Sequence, residues 1–159
     1  MSKIFNYYTK NKDGIDTECC WYKSSNVVYT ECIDNENKPK TLKVVFANGT
    51  QYQYNDVDVR DYLLLREDKS QGKALNRLIK EKKYEYVKLE NADLEAINDE
   101  LFFRSKNGFY LENNDEFFEI KNNQDESVFK LSKPLEDGYF ELVKDILEAV
   151  GITTKVKNG

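Results

Sequence analysis

Tyrosines, lysines, arginines and carboxylates carry whatever chemistry this chain can do, because its 159 residues include no histidine. Without an imidazole there is no Ser-His-Asp or Cys-His pair, no histidine general base, and no zinc site that needs a His ligand. Two groupings stand out. Tyr52 and Tyr54 alternate with Gln51 and Gln53, so they share one face of a strand. If exposed, they can stack on bases or nucleotide rings, and otherwise they fill a core. Lys73, Arg77 and Lys80 recur at helical spacing and form one face able to meet a phosphate or an acidic protein. Arg77 is the best single anion ligand of the three, through its bidentate guanidinium. Ser24, Ser25 and Asn26 are expected either to satisfy backbone groups at a strand entrance or to form a polar rim beside Lys73 and Asn76.

The carboxylates read differently. Asp115, Glu116, Glu119, Asp125 and Glu126 do not follow an EF-hand loop, so they are expected to be solvated hairpin charges rather than metal ligands. Asp115, Glu116 and Glu119 are also a candidate surface for a basic protein partner. Cys19, Cys20 and Cys32 are odd in number, two are adjacent, and there is no CxxC spacing, so reduced thiols without metal or disulfide are expected. No catalytic residue, cofactor or metal is expected, which favours binding over catalysis.

Charge is unevenly distributed. The net charge is -5, yet between Lys69 and Lys83 six basic residues face only Glu81, and residues 91–159 carry 15 acidic against 8 basic side chains. A long nonspecific grip on duplex DNA is therefore not expected, while a small anion site is. The chain is 40% hydrophobic and 13% aromatic, enough for a core despite its mean hydropathy of -0.76. No apolar run approaches membrane-spanning length, and the opening Met-Ser-Lys-Ile-Phe-Asn-Tyr-Tyr has no hydrophobic leader, so a cytoplasmic, non-membrane protein is expected.

The elements that must position these residues follow from pattern. Lys12–Gly14 signals a turn within an N-terminal tail or short strand, and residues 19–29 read as extended around a polar break. Residues 26–33, 41–46 and 51–54 form a three-stranded antiparallel meander, with Asn48-Gly49 as a type I′ turn. The Asp34–Lys40 span, with Asn35 and Asn37, is a turn. Helices are expected over 58–67, capped by Asp58 with Asp61 in the reciprocal box position, and over 70–82, capped by Ser70. Leu94, Ile97 and Leu101 fit a third helix, capped near Asn91 or Asp93. A hairpin across Asn107-Gly108 would pair Leu101–Arg104 with Phe109–Leu111, and a second would pair Phe117–Lys121 with Ser127–Leu131. A last helix carries Phe140, Val143, Ile146, Leu147 and Val150 and ends at Gly151, before a tail or short strand. The expected class is α+β: a three-stranded meander with two short helices over residues 1–88, then an acidic second α+β unit or extension over 89–159.

The order Ser24-Ser25-Asn26-Val27-x-Tyr29, Leu42-x-Val44-x-Phe46-x-Asn48-Gly49-x-x-Tyr52-x-Tyr54-x-x-Val57, Tyr62-Leu63, Ser70-x-Gly72-x-x-x-Asn76-x-x-Ile79-Lys80 and Tyr84 resembles the KTSC domain family. The resemblance covers about residues 20–86. Asp58, Lys69 and Leu75 stand where the family usually has proline, alanine and a large aromatic. The resemblance implies a binding module related to a C-terminal region of some lysyl-tRNA synthetases, with RNA or a nucleotide as ligand. Such domains also occur in small phage and bacterial proteins. The expected function is a non-enzymatic binding protein. The alternative is a phage-type inhibitor or counter-defence protein whose acidic surface covers a basic site on a host protein.

Overall fold

The computed structural model describes residues 3–34, 39–82, 84–106 and 108–158. Asn35, Asn37, Lys83 and Asn107 of the sequence reading lie outside them. The chain divides into two compact units, Met1–Asp99 and Glu100–Gly159.

Alternation of apolar and polar residues organises the first unit into a six-stranded antiparallel sheet in simple chain order: β1 (Ile4–Lys12), β2 (Ile15–Tyr22), β3 (Val27–Ile33), β4 (Lys40–Phe46), β5 (Gln51–Val57) and β6 (Tyr86–Leu89). The expected three-stranded meander is its centre. Expectation stopped short at both edges, because β1 and β2 carry polar residues on much of their length and β6 is only four residues long. The turns are also redistributed. At Asn48-Gly49 only Gly49 is left-handed, at φ 91°. Its N–H donates to Phe46 O (2.9 Å) and the Phe46 N–H donates to Thr50 O (2.9 Å). This is a three-residue loop with glycine in the left-handed position rather than a type I′ turn. Two consecutive positive φ values occur instead at Asp13 (54°) and Gly14 (81°), between β1 and β2.

Helices cover one face of this sheet. α1 (Val59–Glu67) contributes Tyr62 and Leu65, and α2 (Gln71–Leu75), continuing as a π-helical turn over Asn76–Lys80, contributes Ala74, Leu75, Leu78 and Ile79. They pack on Cys20, Tyr22, Leu42, Val44 and Tyr54 from the strands. Full burial of each large aliphatic side chain stabilises by roughly 1.5–3 kcal/mol. Glu18 of β2 ties the layers together, accepting from Tyr62 Oη (2.7 Å) and Arg66 Nη1 (2.5 Å). On the opposite sheet face Tyr8, Cys19, Trp21, Tyr29 and Val45 are buried as well, with Trp21 and Tyr29 ring centroids 4.3 Å apart.

α3 (Leu94–Arg104) starts at Asp93, whose Oδ1 accepts from the Glu95 N–H (2.9 Å), and it crosses the division between the units. Leu101–Arg104, expected as a strand, are its last turn. Ile97, Phe103 and Arg104 are buried, and the apolar pair Phe102-Phe103 gives no period long enough to separate helix from strand.

The second unit holds β7 (Phe109–Asn113), β8 (Phe117–Asn122), β9 (Ser127–Ser132), α4 (Tyr139–Ala149) and β10 (Thr154–Asn158), in sheet order β10-β7-β8-β9, with β10 parallel to β7. The β8–β9 hairpin falls where expected. Gly151 and Ile152 close α4, their N–H groups donating to Glu148 O and Leu147 O (3.0 Å each). Phe140, Val143 and Leu147 pack on Leu111, Phe118 and Ile120. On the other face Tyr110 stacks on Phe103 with centroids 4.3 Å apart and donates to Glu100 Oε2 (2.6 Å), which also accepts from Arg104 Nε (3.2 Å); Lys155 Nζ donates to Glu100 Oε1 (2.8 Å). Burial would raise the Glu100 carboxyl, but these donors outweigh it and hold it below its ordinary value.

Candidate ligand-binding site

Strand pairing builds an aromatic row at the β5–β6 end of the first sheet. The register sets Tyr54 opposite Tyr86 and Tyr52 opposite Lys88, and directly opposed residues of an antiparallel pair share a face. Tyr52, Tyr54 and Tyr86 stand with ring centroids 5.8–6.3 Å apart, and Phe46 of β4 meets Tyr52 edge-on at 6.1 Å. Among the described residues Tyr52, Tyr54, Lys80, Tyr84 and Tyr86 line one pocket of about 430 Å³, within the range of small-molecule sites. Lys80 comes from the π-helical turn, with its Nζ 5.7 Å from the Phe46 ring centroid. Tyr86 is 62% exposed, while Tyr54 is 3% exposed.

Two hydroxyls in this pocket differ in kind. Tyr84 Oη donates to Asp61 Oδ2 (2.6 Å) and accepts from the Asp58 N–H (3.1 Å). The expected reciprocal box between Asp58 and Asp61 is therefore not made. Asp58 caps α1 through the Arg60 N–H (2.8 Å), its own N–H is met by Tyr84, and Asp61 turns to Tyr84 and Lys82 Nζ (2.5 Å). Burial would raise the Asp61 carboxyl, but the Lys82 and Tyr84 donors hold it below its ordinary value. Tyr84 is a fixed wall, and burial with the Asp61 hydrogen bond raises its phenol. Tyr54 has no such anchor: among the described residues nothing hydrogen-bonds its hydroxyl. Burial, then its neighbours Tyr52 and Tyr86, push its pKa up to about 12. Both phenols stay protonated near neutral pH and serve as donors rather than bases.

The other expected site residues are dispersed. Arg77 Nη2 pairs with Asp68 Oδ2 (3.0 Å) and is not in the pocket lining. Lys73 is exposed, and its N–H is capped by Ser70 Oγ (3.5 Å). Asn76 begins the π-helical turn, its carbonyl accepting from the Glu81 N–H (2.9 Å). Ser24 Oγ accepts from the Asn26 N–H (3.2 Å), the Asn26 carbonyl accepts from the Ala47 N–H (2.7 Å), and the Asn26 amide lies against Gly72. Ser25 is exposed beside them. These residues close the β2–β3 connection onto α2, and none lines the tyrosine pocket. Asp115 and Glu116 are exposed, but Glu119 is 7% exposed and lies 3.7 Å from Lys121 Nζ, which removes it from a partner surface. Among the described residues no cluster of His, Cys, Asp and Glu could hold a metal, and Cys19, Cys20 and Cys32 are buried and form no disulfide. Tyr86 joins the site beyond the sequence reading, and Tyr84, named above only within the family resemblance, lines it as well.

Residues 32–93 match the model of the KTSC domain family. The match runs from the end of β3 through β6 to the start of α3 and contains every residue of the tyrosine pocket. The resemblance read over about residues 20–86 is thus found, shifted towards the C-terminus. No curated protein and no solved structure matches the chain. No helix among the described residues is long and apolar enough to cross a membrane.

Proposed function

We propose that this chain is a non-enzymatic, cytosolic binding protein whose first unit recognises RNA or a nucleotide. The base enters between the tyrosines and Lys80 meets the phosphate. One observation carries this: four tyrosines and one lysine converge on a single pocket of about 430 Å³. Aromatic stacking contributes roughly 1–3 kcal/mol per base, and an ammonium at the rim supplies the counter-charge. The raised Tyr54 and Tyr84 phenols donate hydrogen bonds and take no proton, which suits binding rather than proton-transfer catalysis. Calorimetric titration with uridine and adenosine monophosphates, repeated on Tyr52→Ala and Lys80→Gln, tests it. Saturable binding weakened at least tenfold by Tyr52→Ala supports the reading. Absence of binding at millimolar ligand, or indifference to both substitutions, rejects it.

A different observation favours the second reading, in which an acidic surface covers a basic site on a host protein. Leu142 and Ile146 of α4 and Val150 just past its end are exposed at every fourth position, beside exposed Glu141 and Asp145. That arrangement suits a basic amphipathic segment. Leu142→Ser with Ile146→Ser should then abolish capture of such a partner while leaving nucleotide binding intact.

A further inference from the structure

One cation lines the tyrosine pocket, and a second stands opposite one of its residues on the neighbouring strand. Lys80 lies over Phe46 of β4, on the helical side of the pocket. Lys88 lies on β6, opposite Tyr52 and on the same sheet face. β4, β5 and β6 are consecutive in the sheet, so Tyr52 on β5 stands between the two strands associated with the cations. The strands that carry Phe46 and Lys88 stand two interstrand spacings apart, roughly 10 Å. That is too wide for one phosphate group to meet both cations, while two long lysine side chains can reach in to successive phosphates of one strand. β6 is the edge of the sheet, its residues Tyr86–Lys88 are exposed, and among the described residues no strand pairs with its side away from β5, so a chain can leave the pocket across it. Tyr54, only 3% exposed, lines the pocket with a hydroxyl that has no hydrogen-bond partner among the described residues, available to a polar edge of the inserted base.

We propose that the pocket takes an internal nucleotide of a single-stranded nucleic acid, its base among the tyrosines and its flanking phosphates held by Lys80 and Lys88; this rests on the reading that the pocket binds a nucleotide. The strand must be unpaired, since a base inside a duplex does not present its ring face to a side chain. Two phosphate contacts also fit a chain whose net charge of -5 disfavours a long electrostatic grip.

The test compares uridine monophosphate, the trinucleotide UUU and a blunt RNA duplex on the full chain, wild type and Lys88→Gln, across a salt series with melting curves alongside. Lys88 is exposed on an edge strand, so Lys88→Gln should fold normally. UUU should bind wild type roughly tenfold more tightly than the mononucleotide, and the duplex should not compete. The slope of log K against log salt for UUU should be about -1.4 for wild type and about -0.7 for Lys88→Gln, one phosphate contact having been lost. Equal affinity for mononucleotide and UUU, or an unchanged slope in Lys88→Gln, overturns the single-strand inference and leaves the nucleotide pocket standing. Failure of both ligands to bind overturns the pocket reading and the inference with it.

Discussion

Tyr54 and Tyr84 line the same pocket, yet removing their hydroxyls should have opposite consequences for folding. Tyr84 Oη donates to the 4%-exposed Asp61 and accepts the Asp58 N–H, so Tyr84→Phe deprives a buried carboxylate of a donor and a helix cap of an acceptor. Losing a hydrogen bond to a charged group costs about 1.5–3 kcal/mol. For a chain of this length that lowers Tm by roughly 3–12 °C. Tyr54 Oη meets no partner among the described residues, so Tyr54→Phe breaks no hydrogen bond within the protein. Its Tm should be unchanged or raised, by up to roughly 4 °C for about 1 kcal/mol. Binding is expected to follow the other order for Tyr54, whose hydroxyl serves the ligand: loss of about 0.5–1.5 kcal/mol, a two- to thirteenfold weakening for uridine monophosphate. The assay is thermal unfolding of the two variants beside wild type, with calorimetric titration of each. A Tyr54→Phe protein that melts several degrees lower with unchanged affinity would refute the assignment of that hydroxyl to the ligand.

The Asp61 carboxyl is held below its ordinary value, so its ion pair with Lys82 stabilises the fold above the unfolded carboxyl pKa near 3.9 and is lost as pH falls through the lower folded value. Wild type should therefore lose stability relative to Asp61→Asn between pH 5 and pH 2.5 in urea titrations; a constant difference would contradict this. Burial pushes the thiols of Cys20 up to about 11 and Cys32 up to about 12, so at pH 8 the native protein should react negligibly with a disulfide reagent at these two positions and show three thiols once unfolded. A β-carbon on Gly72 would clash with Asn26 Nδ2. The atom met is the far end of the exposed Asn26 side chain, so Gly72→Ala should displace that amide at a cost of about 1 kcal/mol, roughly cancelled by the ~1 kcal/mol that alanine gains in a helix. In an Asn26→Ala background the same substitution should turn stabilising, and a double-mutant cycle in denaturant measures it.

Local chemistry was legible and long-range pairing was not. Alternation in Leu42-x-Val44-x-Phe46 and Tyr52-x-Tyr54, with the caps Asp58 and Ser70, placed the central hairpin and both helices because each signal is contained within one element. Tyr52, Tyr54 and Lys80 were identified and do converge. Tyr84 is legible only as one residue of the family resemblance, and Tyr86 not at all, because a four-residue edge strand gives too little alternation and its register against β5 is a tertiary fact. The guanidinium chemistry of Arg77 is legible in its side chain, but Asp68 engages it from the connection between α1 and α2, a pairing that only the fold sets. Glu119 resembled its exposed neighbours in sequence, and only the strand phase turns it inward at β8. Asn48-Gly49 kept its place and changed its turn type, since the loop is completed by Asn48 Oδ1 accepting the Thr50 N–H (3.0 Å).

The most direct measurement is a titration of UUU into protein carrying ring-labelled tyrosine, followed by NMR. Tyr52, Tyr54, Tyr84 and Tyr86 should shift together along one saturating curve, while Tyr110 and Tyr139 of the second unit stay in place. Shifts confined to the second unit, or spread evenly over all tyrosines without saturation, would contradict a nucleotide site in the pocket.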